Sequence, residues 1–328
     1  MAGAALLTVS DHIRFQMSIL DRLLNPGPNP VASIRCKGRF APSPSGRMHL
    51  GNIYAAIMSY VSAKARGGSW LLRIEDIDTQ RSRREWADMI MSDLDWLGLG
   101  WDEGPVYQSD RTEIYEEALR RLSDMGLLYP CTCTRAELMA SRAPHATDGH
   151  VPYTGRCRPA SPCFGASKMS ATLRIMVPPY PCDDAFPHSS DGIVEFDDRI
   201  CGSQRVGLSG SFGDFVLRRR DGSWAYQLAV AVDDAMMGVT EVVRGDDLLL
   251  STAPQRYLTS LLGLDAPESY AHLPLLKNAD GQRLSKRDGS MSMEYLRALY
   301  TPSDVVAMVC RAASVDPDEM LSLLRSFA

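Results

Sequence analysis

The fold is predicted from one stretch, Arg39-Phe40-Ala41-Pro42-Ser43-Pro44-Ser45-Gly46-Arg47-Met48-His49-Leu50-Gly51-Asn52. Residues 34–41, at its start, are a predicted strand, and after it residues 52–66 have apolar positions at helical spacing. A turn of small residues between a strand and a helix aims backbone N–H groups at the helix N-terminus, where phosphate binds favourably. The stretch therefore predicts a strand–turn–helix unit with an anion site.

A second motif, Arg283-Leu284-Ser285-Lys286-Arg287, lies late in the chain. Its Lys286 is a mobile cation of the kind that a leaving pyrophosphate requires. In the first motif, His49 and Asn52 would face ATP from the first helical turn, and Gly51 would let the adenosine approach closely. Each motif alone also fits a plain turn or a solvated charged loop, but together they predict an ATP site.

The segments between the motifs alternate between strand and helix patterns. Residues 70–74 are a predicted strand, residues 81–97 a predicted helix, and Asp110-x-x-Glu113 a predicted capping box for a helix that ends at Gly126. This order predicts an α/β fold with a parallel, doubly wound sheet and the ligand at the carboxyl ends of its strands. Further predictions are strands at 171–177, 192–196 and 239–244, a hairpin of strands 215–219 and 224–232 around Asp221-Gly222, and a helix at 253–262.

Composition divides the chain of 328 residues into five predicted segments. These are an extension and linker (1–37), the first half of the catalytic domain (38–130), an inserted zinc-binding subdomain (131–200), the second half with the lysine loop (201–295) and a helical tail (296–328). The extension contains a predicted short helix at 13–24 and the Pro-rich stretch 25–30. The zinc-binding character of the insertion depends on its cysteines.

The overall composition is that of an ordinary globular protein, with 45% hydrophobic and 23% charged residues and a net charge of -5. No apolar run approaches the roughly 20 residues of a membrane-spanning helix, and the N-terminus lacks the basic region of a signal peptide. The eight cysteines are not spaced as a disulfide framework. We therefore expect a cytoplasmic protein without a membrane partner, in which a basic patch such as Arg218-Arg219-Arg220 could still contact phosphates.

A cysteine cluster marks the predicted insertion. Cys131-Thr132-Cys133 is followed by Tyr153-Thr154-Gly155-Arg156-Cys157, and a capping-box pattern, Thr134-x-x-Glu137, comes directly after the first pair. Three thiols in a polar loop predict structural Zn²⁺, which prefers four tetrahedral ligands. Spacing leaves the fourth ligand open among His145, His150, Tyr153 and water, and buried thiols without an ion are the alternative.

The two motifs resemble the HIGH and KMSKS signatures of class I aminoacyl-tRNA synthetases, with Asn52 at the last position of the first and RLSKR as the second. The first motif together with Arg73-Ile74-Glu75-Asp76-Ile77-Asp78 resembles the glutamate-handling branch of that family, and the similarity runs over about residues 38–289. The resemblance implies a Rossmann nucleotide-binding fold that uses ATP and Mg²⁺ to form glutamyl-adenylate. Lys286, His49 and Mg²⁺ would stabilise the phosphate charge.

The same resemblance implies a glutamate site at the matching positions, which are Arg39, Phe40, Ala41, Pro42, Ser43, Glu75, Tyr226 and Arg244. In the family, the position of Glu75 receives the substrate amino group. An amino acid with two carboxylates needs two cations and one anion, which Arg39, Arg244 and Glu75 supply. Surface ion pairs, core packing of Tyr226, and a magnesium cluster of Glu75, Asp76 and Asp78 are the alternatives.

The sequence ends at Ala328, soon after the lysine motif, and we expect no anticodon-binding domain. This combination, with the C-x-C…Y-x-x-x-C pattern, resembles a subgroup of the family in which the tyrosine ligates zinc, which implies Tyr153 as the fourth ligand. Members of that subgroup activate glutamate without tRNA and attach it to queuosine in the anticodon of tRNA(Asp). The implied partners are ATP, L-glutamate and queuosine-containing tRNA(Asp), and the expected state is a monomer. Three alternatives remain open: a fragment that charges a tRNA 3′ end, a non-catalytic tRNA-binding relic, and an adenylyl-transferring enzyme for another acid.

Overall fold

The elements of the chain are taken from a computed structural model that describes residues 18–24, 35–134, 153–161, 163–166, 170–178, 192–276 and 292–327. The strands are β1 (Lys37–Phe40), β2 (Ser69–Ile74), β3 (Glu103–Tyr107), β4 (Leu128–Cys131), β5 (Thr172–Ile175), β6 (Ile193–Asp198), β7 (Gly202–Gly207), β8 (Val216–Arg218), β9 (Glu241–Gly245) and β10 (Ser269–Leu273). The α-helices are α1 (Ile19–Leu24), α2 (Leu50–Lys64), α3 (Arg84–Trp96), α4 (Thr112–Asp124), α5 (Leu208–Ser211), α6 (Tyr226–Met236), α7 (Thr252–Leu262), α8 (Met293–Leu299), α9 (Pro302–Ala312) and α10 (Pro317–Phe327).

The predicted parallel β-α-β order is confirmed in the first sheet. Its strand order is β1-β2-β3, and both pairs are parallel. The apolar residues of β2 are buried, with Trp70 and Leu72 fully enclosed against the buried face of α2. Helix α2 ends before Gly67 and Gly68, as predicted; Gly67 has a φ of 62°, a left-handed conformation that glycine adopts without strain.

A second sheet lies beside the first. Its order is β7-β6-β10-β9, in which β10 runs parallel to β9 and β6 while β7 is antiparallel to β6. Hydrogen bonds between the starts of β1 and β9 connect the sheets: the Thr240 N–H donates to the Lys37 carbonyl at 3.0 Å, and the Lys37 N–H donates to the Thr240 hydroxyl at 2.9 Å. The carboxyl ends of β1, β2, β9 and β10 consequently face one cavity.

A small antiparallel sheet of order β4-β5-β8 carries the first two cysteines of the predicted zinc cluster. Strand β4 ends at Cys131, and Cys133 follows in the loop. The Tyr153 N–H donates to the Phe212 carbonyl at 3.1 Å, which ties the second half of the cluster to the segment before β8. The fold thereby closes the cluster across distant parts of the chain.

Two local predictions are wrong. Residues 224–232, predicted as the second strand of a hairpin, form the start of helix α6, and only a single bridge joins Arg218 to Trp224. A short continuous apolar run fits a buried helix as well as a strand, and residues 228–234 are all buried. Helix α4 does not use Asp110 as its cap, because residues Gln108–Arg111 form a 3-10 turn and Arg111 precedes the helix without a side-chain cap.

The remaining predicted elements are largely present. The predicted N-terminal helix is seen as α1, whose Leu20 and Leu23 are buried in the main core, and the helical tail comprises α9 and α10. The Pro-rich stretch 25–30 and the capping box that ends at Glu137 lie outside the described residues. Among the described helices, none combines the length and apolar character needed to cross a membrane.

Candidate functional site

A cavity of about 430 Å³ lies at the carboxyl ends of the parallel strands. It brings together residues from six separate segments of the chain, namely the stretch from the β1 end through the turn to the start of α2, the β2 end, α3, the start of α6, the end of β9 and the end of β10. All eight predicted glutamate-site positions line it, as do three predicted ATP residues: Arg39, Phe40, Ala41, Pro42, Ser43, Glu75, Tyr226, Arg244, His49, Gly51 and Asn52.

One half of the cavity, formed by the first turn of α2, holds the predicted ATP residues and is called the candidate ATP half. His49 is the N-cap residue, and its Nδ1 accepts a hydrogen bond from the Gly51 N–H at 3.2 Å, while the Asn52 side-chain oxygen accepts one from the His49 N–H at 3.2 Å. A Cβ on residue 51 would lie only 3.1 Å from the His49 ring, so glycine lets the imidazole lie over the helix start. The two side chains are thereby fixed at the positive end of the helix.

The second ATP motif lies outside the described residues, so Ser285 and Lys286 are not placed. The chain re-enters the described part next to the first motif. The Met293 N–H donates to the Met48 carbonyl at 3.0 Å, and Ser292 forms a β-bridge with His49. Helix α8, which directly follows the lysine loop, is therefore anchored at the entrance of the ATP half.

A buried ion network forms one wall of the cavity. Arg73 is fully buried; it contacts Asp234 at 2.7 Å and Glu75 at 3.2 Å. Arg39 reaches the same Asp234 oxygen at a longer 3.4 Å. Burial raises the pKa of Glu75, an effect that Arg73 and Arg39 oppose. Glu75 thus lines the cavity as an acidic group held in place by Arg73.

Arg244, which also lines the cavity, occupies a different environment. Its guanidinium donates to neutral acceptors, at distances of 3.0 Å to His272 Nε2, 3.0 Å to Gln255 Oε1, 2.9 Å to Thr252 Oγ1, 3.2 Å to the Leu248 carbonyl and 3.4 Å to the Tyr226 hydroxyl. No carboxylate of the described residues lies within ion-pair distance of it. Arg244 is 95% buried and carries a positive charge without an acidic partner among these residues.

Sequence reasoning did not single out the residues behind the cavity wall. Arg73 lies within a quoted motif but was given no role, and Asp233 and Asp234 follow the segment that was wrongly predicted as a strand. Asp233 accepts hydrogen bonds from the side chains of Gln108 at 2.8 Å, Arg111 at 2.6 Å and Tyr115 at 2.7 Å. A helical reading of 226–236 would have placed both aspartates on a buried helix.

The alternative of a magnesium cluster at Glu75, Asp76 and Asp78 is not supported. Asp76 accepts from the Ser109 N–H at 2.8 Å and hydroxyl at 2.7 Å, and Asp78 pairs with Arg81 at 2.7 Å. Glu75 instead contacts Arg73. Among the residues that the structure describes, only the cysteine cluster brings three or more potential ligands together.

The thiols of Cys131, Cys133 and Cys157 all lie within 4.8 Å of one another. The Tyr153 hydroxyl is 3.6 Å from the sulfurs of Cys131 and Cys133, and the sulfurs of Cys133 and Cys157 are 3.5 Å apart. Tetrahedral Zn²⁺ with Zn–S bonds of about 2.3 Å separates its ligands by about 3.8 Å. The three thiols and the phenol therefore fit one zinc ion.

The local environment favours this ligand set. The Cys157 N–H donates to the Tyr153 hydroxyl at 2.7 Å, and the Arg174 guanidinium lies over the Tyr153 ring at 3.8 Å from its centre. Burial alone would raise the pKa of the Cys157 thiol, but hydrogen bonds with the Thr132 backbone and with the side chains of Tyr153 and Thr132 lower it to about 6. His145 and His150, the other candidates for the fourth ligand, lie outside the described residues.

Comparison with known proteins identifies relatives over nearly the whole chain. The family model described as "tRNA synthetases class I (E and Q), catalytic domain" matches residues 35–325. The chain is 44% identical to the Glutamyl-Q tRNA(Asp) synthetase of Nitratidesulfovibrio vulgaris, covering 86% of this chain and 87% of that protein. It is 47% identical to the protein of the same name from Verminephrobacter eiseniae, covering 82% and 88%.

Solved structures of similar fold include a glutamate tRNA ligase from Elizabethkingia meningosepticum in complex with its amino acid, with a TM-score of 0.69 at 29% identity. The Glutamate-tRNA Synthetase from Elizabethkingia anophelis gives a TM-score of 0.70 at 29% identity. Both comparisons cover 89% of this chain, but only 65% and 66% of those longer chains. The chain therefore spans just under two thirds of their length.

Proposed function

The chain belongs to the catalytic-domain family of class I tRNA synthetases, which are ligases, and from this premise we propose that it attaches glutamate to queuosine in the anticodon of tRNA(Asp). The names of the relatives at 44% and 47% identity support the choice of acceptor. We further propose that ATP-dependent activation of glutamate comes first and needs no tRNA. The pairing of an ATP motif and an acidic amino-acid site in one cavity supports this order.

The observation that carries the amino-acid assignment is the contrast between the surroundings of Arg244 and those of Glu75, which both line the cavity. Among the described residues, Arg244 is held only by neutral acceptors. A substrate carboxylate would therefore add an anionic partner that these residues do not supply. Glu75 offers a carboxylate for the amino group, and Arg39 offers a second cation whose bond to Asp234 is long, at 3.4 Å. Two cations and one anion match the charges of glutamate.

In the proposed first step, an oxygen of the α-carboxylate attacks the α-phosphorus of ATP. The bond from that phosphorus to the bridging oxygen breaks, and pyrophosphate leaves with the bonding electrons. His49 at the N-terminus of α2, together with Lys286 from the loop after β10, would stabilise the charge on the phosphates. Mg²⁺ would arrive with the nucleotide, whose phosphates are its usual ligands, and would neutralise part of their charge.

In the second step, a hydroxyl oxygen of queuosine attacks the adenylate carbonyl carbon and forms the ester, the bond from that carbon to the phosphate oxygen breaks, and AMP leaves with the bonding electrons while the hydroxyl proton passes to a phosphate oxygen or to solvent. The protein supplies no covalent nucleophile. Its contribution is the positioning of two reactants and the fixed charges around them. Arg219 and Arg220, which line an open depression beside Cys133, are candidate contacts for tRNA phosphates.

We also propose that Cys131, Cys133, Tyr153 and Cys157 hold one structural Zn²⁺. The ion would join the end of β4 to the segment that leads into β8. We also propose the five-segment division of the chain, a monomeric state and a cytoplasmic location.

The decisive experiment supplies ATP, Mg²⁺ and labelled glutamate together with two tRNA pools, one containing queuosine and one lacking it. The proposal requires label only in the queuosine-containing pool, and that label should survive removal of the tRNA 3′ end. Label in both pools would identify 3′-end charging instead. Glutamate-dependent exchange of pyrophosphate into ATP, measured without tRNA, tests the first step separately.

A further inference from the structure

Behind Arg244 lies a buried polar chain that crosses three strands. Arg244 of β9 donates its Nε–H to His272 Nε2 of β10 at 3.0 Å, and His272 Nδ1 is 2.6 Å from Asp198 Oδ2 of β6. Asp198 and His272 are fully buried. Neither residue lines the cavity, so any effect on a ligand must pass through Arg244.

The geometry determines the protonation of the imidazole. A guanidinium can only donate, so His272 Nε2 must present its lone pair to Arg244. The ring proton is then on Nδ1 and is directed at Asp198. That carboxylate is itself fixed by the backbone N–H groups of Ile200 at 3.0 Å, Cys201 at 2.8 Å and His272 at 3.1 Å.

The groups around His272 keep it neutral. Burial lowers its pKa, the positive charges of Arg244 and Arg39 lower it further, and Asp198 opposes them. The remaining neighbour of its Nε2 is the uncharged Thr252 hydroxyl at 3.4 Å. At neutral pH a neutral ring therefore faces Arg244.

We propose that Asp198 and His272 are positioning residues that orient Arg244 for the substrate carboxylate without neutralising it. This inference rests on the proposed function, in which Arg244 binds glutamate. A carboxylate directly on Arg244 would compete with the substrate carboxylate, as Asp234 would at Arg39. A neutral imidazole instead fixes the guanidinium plane and leaves its charge to the ligand.

The first test is Asp198→Asn, which preserves size but replaces an acceptor with an amide. The amide oxygen remains held by backbone N–H groups, and its NH2 can donate to His272 Nδ1. The ring would then carry its proton on Nε2, so that two N–H donors, those of His272 and Arg244, would face each other. Their hydrogen bond would be lost because the imidazole is held in the wrong tautomer. We expect the KM for glutamate in pyrophosphate exchange to rise by about 10- to 100-fold, with the KM for ATP changed by less than about 3-fold.

Asp214→Asn is the matched control. Asp214 is also a buried carboxylate, which accepts from Tyr129 at 2.7 Å and Arg158 at 2.8 Å, but it lies in the segment before β8 and not on the strands β6, β9 and β10 that carry the Arg244 chain. It should lower the melting temperature without raising the glutamate KM.

His272→Gln, which keeps an acceptor within reach of Arg244, should retain more glutamate affinity than His272→Leu.

Nitrogen NMR of the histidine side chains provides a readout that is independent of activity. The wild type should show a protonated Nδ1 and an unprotonated Nε2 for His272, and Asp198→Asn should reverse the assignment. The opposite tautomer in the wild type would overturn the inference. If the wild type exchanges pyrophosphate and the folded Asp198→Asn protein has an unchanged glutamate KM, the inference is also overturned. If the wild type neither binds nor activates glutamate, the proposed function itself fails, and the positioning role fails with it.

Discussion

The charged side chains of the candidate glutamate cavity are each held by other protein groups, whereas the polar atoms of the cysteine cluster mainly contact one another. Arg244 has five neutral acceptors, and Glu75 contacts a fully buried arginine. In the cluster, the shortest contacts of the Cys133 sulfur are with Cys157 at 3.5 Å and the Tyr153 hydroxyl at 3.6 Å.

This difference indicates two ways of building a site. The cavity is organised by the buried network behind it, so its shape does not depend on a ligand, and a single change should alter binding more than folding. Among the described residues, the thiols of the cluster contact one another, the Tyr153 hydroxyl and the Thr132 side chain, so we expect the organisation of the cluster to depend on an ion that replaces the thiol protons. Substitutions in the two regions should therefore separate activity from stability.

The largest expected effect comes from the ATP half of the cavity. Lys286→Ala should reduce glutamate-dependent pyrophosphate exchange by about 100- to 1000-fold, because it removes a cation from the leaving pyrophosphate. Zinc content and melting temperature should not change, which distinguishes the loss of a catalytic cation from unfolding. Exchange at the wild-type rate would refute the assigned role.

Within the glutamate half, Arg244→Gln should raise the glutamate KM by at least about 30-fold, because it removes a buried, charge-assisted contact. Arg39→Gln should have a smaller effect, since Arg39 already shares its charge with Asp234, which Arg73 still pairs. Both changes should leave the ATP KM nearly unchanged. An effect confined to ATP would mean that the two halves of the cavity are assigned in reverse.

Substitution in the cysteine cluster should reverse this pattern. Metal analysis of protein purified without chelator should give about one zinc per chain, and Cys157→Ala should remove the zinc and lower the melting temperature. Glutamate-dependent exchange at low temperature should fall by less than in Arg244→Gln. Absence of zinc from the wild type would exclude the metal centre. Complete loss of pyrophosphate exchange in a folded Cys157→Ala protein would contradict the expected separation of activity from stability.

The smallest expected effect is that of Tyr153→Phe, which keeps the ring beneath Arg174 and removes only the hydroxyl. The Cys157 N–H then loses its acceptor, and zinc affinity should fall by about 10-fold, measured by competition with a chelator. Unchanged affinity would assign the fourth position to a histidine or water. The parallel variants His145→Ala and His150→Ala distinguish these outcomes.

Features that depend on neighbouring residues could be predicted from the sequence. The strand–turn–helix around His49 follows from a strand pattern, small turn residues and helical spacing, all within one short stretch. The grouping of Cys131, Cys133 and Cys157 follows from ligand spacing, and the structure brings these thiols together. Where a local pattern fits two elements equally well, prediction fails: residues 224–232 are apolar enough for either, and burial on all sides favours the helix.

The sequence by itself thus determined the parallel α/β class, the ATP motif and the residue types that surround the cavity. Only the tertiary structure decided which charges meet. Arg73 and Asp234 are 161 positions apart, and His272 and Asp198 are 74 positions apart. Their pairing depends on strand order and on which helix covers each strand end. The spacing of residues along the chain does not predict these pairs, because a buried ion pair forms between side chains that the folded core brings close together.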